Sequence, residues 1–105
     1  MIKVIIKADE IEIKGHANYA DYGKDIVCAS VSAIVTTTIN GILRINTDIN
    51  YKEDIDRLVI KVNKKSDVTV SLLENMICLL KDLEIDYKKN ISVIEMRDKK
   101  WILHF

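Results

Sequence analysis

The spacing of apolar residues changes four times along this chain, and each change narrows what it can fold into. Ile2, Val4 and Ile6 alternate with Lys3, Ile5 and Lys7, and Ile11 and Ile13 alternate with Glu12 and Lys14. A two-residue period belongs to strands with one buried face. With Asp9-Glu10 as the turn, the spacing predicts a hairpin of strands 2–8 and 10–16. From Asp25, a suitable N-cap, the period becomes helical, and Val27, Val31, Ile34, Val35, Ile39, Ile42 and Leu43 share one face. Thr36, Thr37 and Thr38 weaken helix propensity locally without breaking the period, and Asn40-Gly41 offers a point for an early end or kink. Alternation returns over 49–53 and 57–63, divided near Asp54, with Leu58, Ile60 and Val62 on one face. Ser66 or Asp67 then caps a second helix over about 68–84, striped by Val68, Leu72, Leu73, Met76, Leu80 and Leu83. Ile91–Met96 reads as a last strand. The order ββαββαβ predicts an α/β chain of the α+β type: a two-layer sandwich, with two long helices on a small mixed or antiparallel sheet. No linker, low-complexity segment or solenoid repeat interrupts it, so residues 1–105 are expected to form a single domain.

Charge adds an exclusion. Sixteen basic and sixteen acidic residues balance to zero, so no basic field marks a direct nucleic-acid partner. No apolar run of about 18 residues is evident, so no membrane partner is expected. The segment Met1–Lys7 alternates too quickly for a signal peptide. A cytoplasmic location follows as the expectation, and a reducing compartment would keep Cys28 and Cys78 as thiols. Cys78, beside Ile77, Leu79 and Leu80, reads as buried and inert. His16, Cys28, Cys78 and His104 lack the close spacing of a structural zinc site, so neither a metal nor a cofactor is expected.

The chemistry concentrates between Gly15 and Ala29. His16 ends the second predicted strand, a glycine-bordered loop 17–24 follows, and Cys28 falls at the third helical position if Asp25 is the N-cap. A thiol there gains from the positive end of the helix dipole, by roughly 0.3–2 kcal/mol, and from a neighbouring imidazole. The N–H groups of Val27, Cys28 and Ala29 would have no intrahelical partner and could hold a developing oxyanion. The Asp25 carboxylate competes for those groups and opposes a thiolate, which leaves His16 as the main activator. A strand–loop–helix unit brings both loop ends to one sheet edge, which permits His16 and Cys28 to meet. Gly15 and Gly23 allow the loop to approach a substrate backbone, and Tyr19 and Tyr22 supply aromatic walls. The residues alone leave a plainer alternative open: a helical cysteine is commonly a small core hydrophobe, and a histidine at a strand end a solvated side chain.

The composite pattern is Gly15-His16-Ala17, Tyr22-Gly23, Asp25-Ile26-Val27-Cys28-Ala29 and Ser32. It resembles the ribosomal-processing cysteine protease (Prp) family of low-GC Gram-positive bacteria, as do the chain length and element order. The resemblance implies a small cytosolic cysteine endopeptidase, usually a homodimer, without cofactor or metal. It implies removal of a short N-terminal extension from the large-subunit ribosomal protein numbered twenty-seven, by a cut after paired aromatic residues. Nucleophile and base correspond to Cys28 and His16, supporting positions to Asp25 and Ser32, and the substrate-binding loop to 17–24, with Gly15, Ala17, Tyr19, Tyr22 and Gly23 in or beside it. The rival expectation is a non-catalytic ribosome-associated binding module of the same fold. Two features depart from the family pattern: the threonine run 36–38, and an apolar tail to Phe105, with Trp101 and Leu103, suited to covering the sheet or joining a dimer contact.

Overall fold

The alternating segments pair into one mixed sheet with two helices on its apolar face. The computed structural model describes residues 1–15 and 22–97. Among these, β1 (Ile2–Ile6), β2 (Glu10–Lys14), α1 (Tyr22–Ile45), β3 (Ile49–Glu53), β4 (Arg57–Val62), α2 (Asp67–Asp86) and β5 (Ile91–Glu95) follow in the expected order. The strands lie as β3-β4-β2-β1-β5. Antiparallel pairing joins β1 to β2, β2 to β4 and β3 to β4, whereas β5 runs parallel to β1, with Ile2 opposite Ile91. The predicted hairpin is shorter than its alternation suggests, because the Lys7 N–H already donates to the Glu10 carbonyl at 2.8 Å and closes the turn.

Ile2, Val4 and Ile6 of β1, Ile11 and Ile13 of β2, Ile60 and Val62 of β4 and Ile91 of β5 are buried. Onto them α1 lays Val27, Val31, Val35, Ile39 and Ile42, each one turn beyond the last. Ile34 packs partly against this core, but Leu43 stays 40% exposed, at the edge of the predicted face. The helix runs through Asn40-Gly41 without ending. By length and composition, Ile26–Ile45 is apolar enough to cross a bilayer (mean hydropathy 1.8), contrary to the sequence expectation. Here its buried side forms the core of the sandwich, and serines and threonines occupy much of its other side.

From α2, the buried set is Thr69, Val70, Leu73, Met76, Ile77 and Leu80. Val68 is exposed and Leu72 and Leu83 are half-buried, so the stripe is turned slightly from the predicted one. Cys78 is exposed, correcting its expected burial: Ile77 and Leu80 point inward and the residues between them do not. Two polar clusters fix the helices. Asp48 follows α1, takes hydrogen bonds from the hydroxyls of Ser66 and Thr69, and thereby joins the turn into β3 to the start of α2. Ser66 is the N-cap by position, but its hydroxyl is engaged with Asp48 rather than with its own helix. At the other end, the buried Arg97 guanidinium binds Glu74 at 2.5 Å and Glu95 at 2.9 Å, and Lys81 reaches Glu95 at 2.7 Å. Together they tie β5 to α2. The hydrogen bond from Arg97 holds the Glu95 carboxyl well below its usual range, at about 2. The tail 98–105, with Trp101, Leu103, His104 and Phe105, lies outside the described residues.

Candidate active site

Beside α1, over the β3–β4 side of the sheet, a groove of about 330 Å³ opens to solvent. Between Cys28 and Asn40 each turn of α1 contributes an apolar side chain and, one residue later, a polar one: Val31 and Ser32, Val35 and Thr36, Ile39 and Asn40. This is the i, i+3, i+4 pattern of one helix face. Ile2 and Ile13 come from the sheet, Tyr51 and Glu53 from β3, and Leu58 from β4. The turn Asp54-Ile55-Asp56 closes one side, with Ile55 93% exposed. Arg57 also lines the groove while bridging to the buried Glu12. The floor is therefore apolar, one wall polar and uncharged, and the rim beside the β3–β4 turn acidic.

Cys28 is half-buried in this groove, its side chain packed against the core cluster. Gly15 lines the same groove. Its φ of +78° is one that L side chains rarely adopt, and a Cβ added there would stand 2.5 Å from the Met1 carbonyl oxygen. The Gly15 N–H donates to the Asp56 carbonyl at 3.0 Å, fastening the end of the hairpin to the β3–β4 turn. Glycine is thus required where the chain passes close to β1, at the residue directly before His16.

The sequence-derived site divides as follows. Gly15, Cys28 and Ser32 line one cavity. His16, Ala17 and Tyr19 lie outside the described residues. Tyr22, Gly23 and Asp25 belong to α1, which begins three residues earlier than the N-cap assigned to Asp25, so the end of the predicted loop 17–24 is helical. This corrects the position of the thiol. Cys28 is the seventh residue of α1, so the N–H groups of Val27, Cys28 and Ala29 fall within the i→i−4 ladder and are not spare oxyanion donors. Because the dipole's influence fades within the first turn, it also contributes less to a thiolate than the sequence suggested. Thr36, Asn40, Tyr51 and the 54–56 turn were not anticipated in the site. The signal for the first two was present, since they follow Ser32 at intervals of four, but the threonine run reads first as a helix weakener.

Comparison with known proteins places the chain in a family and matches its fold. The family model described as cysteine protease Prp matches residues 1–92. The ribosomal processing cysteine protease Prp of Staphylococcus aureus is 33% identical over 91 residues, covering 83% of this chain and 86% of that protein. A crystal structure of the Staphylococcus aureus protease in complex with a substrate peptide superposes with a TM-score of 0.84 at 25% identity, over 91% of this chain and 100% of that one. Another, with a covalently linked product peptide, gives 0.78 at 30% identity, again over 91% and 100%.

Proposed function

The chain belongs to the Prp family of cysteine proteases, and on that premise we propose that it removes the N-terminal extension of the large-subunit ribosomal protein numbered twenty-seven, through Cys28 and His16. The observation that carries this reading is the meeting of Cys28 and Gly15, the residue before His16, in one groove with an apolar floor. That floor suits the apolar side chains next to the cut, including the paired aromatic residues expected from the resemblance.

In the proposed reaction, His16 takes the thiol proton and the Cys28 sulfur attacks the carbonyl carbon before the scissile bond. The C–S bond forms as the carbonyl oxygen takes up negative charge. That charge requires donors other than the helix-start amides, and the Ser32 hydroxyl, one turn beyond the thiol on the same wall, is suitably typed. As the carbonyl reforms, the C–N bond breaks and imidazolium returns its proton to the departing amine. Water, deprotonated by His16, then cleaves the thioester, releasing the acid and restoring the thiol. A homodimeric, cytosolic enzyme is part of the same proposal.

The test is to incubate the protein with the extended ribosomal precursor and weigh the products. The expected result is a mass loss equal to the extension, absent with Cys28→Ser and with His16→Ala. An intact precursor after incubation with the unsubstituted protein, or processing by Cys28→Ser, would overturn it.

A further inference from the structure

Two hydroxyls on α1 are occupied within their own helix: Ser30 donates to the Ile26 carbonyl and Thr38 to that of Ile34, both at 2.8 Å. Ser32, Thr36 and Asn40 differ. They line the groove, and among the described residues none of their side chains makes a hydrogen bond. Starting from Cys28 they recur every four residues, which sets polar groups about 6 Å apart along the wall.

That pitch discriminates between ligand shapes. In an extended peptide the backbone N–H and C=O groups of every second residue point to the same side, at a spacing of about 6.8 Å. The mismatch of roughly 0.8 Å per step is small beside the reach of a threonine or asparagine side chain. A helical ligand would offer the wall little, because its backbone groups are already paired internally. An extended chain would also send alternate side chains down onto Val35, Ile39 and Leu58 and the others out toward solvent.

We infer that the groove binds its peptide in an extended form alongside α1, with Thr36 and Asn40 holding the backbone of the segment on one side of the scissile bond. From Cys28 to Asn40 the wall is about 18 Å long, enough for about five extended residues. The inference rests on the peptidase reading for its choice of ligand. It adds a consequence: on that side of the cut, the substrate is recognised by its main chain and by apolar side chains at alternate positions.

The probe is a fluorescein-labelled peptide spanning the processing site of the cognate ribosomal protein, with five residues on each side of the cut. Binding is read by fluorescence anisotropy on Cys28→Ser, so no turnover intrudes. Thr36→Val and Asn40→Leu are each expected to weaken binding by about three- to tenfold, as for loss of a neutral hydrogen bond. Thr37→Val, exposed and outside the groove, should leave binding unchanged. Trimming one end of the peptide should erase the Asn40→Leu penalty, and N-methylation of a backbone amide facing α1 should reproduce it. Unchanged affinity in both variants, or a penalty that survives trimming from either end, would overturn the backbone track. If the peptide binds with these penalties but the unsubstituted protein does not hydrolyse it, the peptidase reading fails alone. If it is hydrolysed without these penalties, the track fails alone. If the peptide does not bind, the track fails, and hydrolysis by the unsubstituted protein decides the other reading.

Discussion

Replacing Gly15 with alanine tests whether the end of the hairpin is as tightly determined as its contacts indicate. Two costs add. The backbone there has φ +78°, which an L residue adopts at a cost of about 1–2 kcal/mol. The new Cβ would also stand 2.5 Å from the Met1 carbonyl oxygen, a backbone atom with no rotamer to change. To relieve that contact the Met1–Ile2 peptide must rotate, and its N–H is the group that donates to the Asn90 carbonyl at 2.9 Å. Losing that bond costs about 1 kcal/mol, for a total of roughly 2–3 kcal/mol.

In a domain of this size the total corresponds to a fall in Tm of about 10–20 °C. The assay is a far-UV circular dichroism melt alongside kcat/KM measured at 20 °C. Activity should fall further than the folded fraction does, because the strained residue lines the groove and directly precedes His16. Gly41→Ala is the paired control. Nothing lies within 4 Å of a Cβ added at that helical position, so it should stabilise by about 0.5–1 kcal/mol and raise Tm by a few degrees. A Gly15→Ala protein that melts within about 3 °C of the parent and keeps its activity would refute the reasoning.

Iodoacetamide labelling followed by peptide mass mapping should modify Cys28 faster than Cys78, although Cys78 is the more exposed; the reverse order would mean that accessibility alone governs both and Cys28 is not activated. Cys28→Ser should melt close to the parent and show no hydrolysis of the precursor, and measurable turnover would end the nucleophile assignment. Acid should expose the Arg97 cluster: with the Glu95 carboxyl lowered from 4.5 to about 2, its stabilisation is complete above pH 5 and fades as pH falls toward 2. The full shift would be worth about 3 kcal/mol, but solvent reaches this carboxylate, so about 1 kcal/mol is expected, read as a drop in urea midpoint that Glu95→Gln abolishes.

The parts of the fold legible in the sequence are those set by short-range periodicity. The strand pair 49–53 and 57–62 and its division near Asp54 follow from the two-residue alternation, as does the inward face of Ile60 and Val62. Long-range pairing was not legible: the parallel fit of β5 onto β1 depends on Ile91 meeting Ile2 across the whole chain, and no local pattern encodes it. The sequence hides the exposure of Cys78 because Ile77 to Leu80 is a continuous apolar run, whereas a helix buries by angle. With Leu73, Met76, Ile77 and Leu80 inward, Cys78 is rotated about 100° from Ile77 and leaves the buried arc.

The start of α1 lies earlier than its sequence indicates for a different reason, and the difference changes the chemistry. Gly23 reads as a loop residue, yet in the first turn of a helix it sits where N–H groups need no intrahelical partner anyway. Extending the helix back to Tyr22 moves Cys28 from the first turn into the second. A thiol at the third position could draw on both the dipole and spare amides, and a histidine would be an addition to them. At the seventh position neither is at hand, so a nucleophile there depends on a side chain supplied from outside the helix. Gly15 brings the end of the hairpin to the cavity that holds the thiol, and the next residue in the chain is His16. The later the cysteine lies in its helix, the more of its activation that histidine must supply. His16→Ala should therefore slow Cys28 alkylation toward the rate of Cys78, and an unchanged Cys28 rate would show that activation comes from elsewhere.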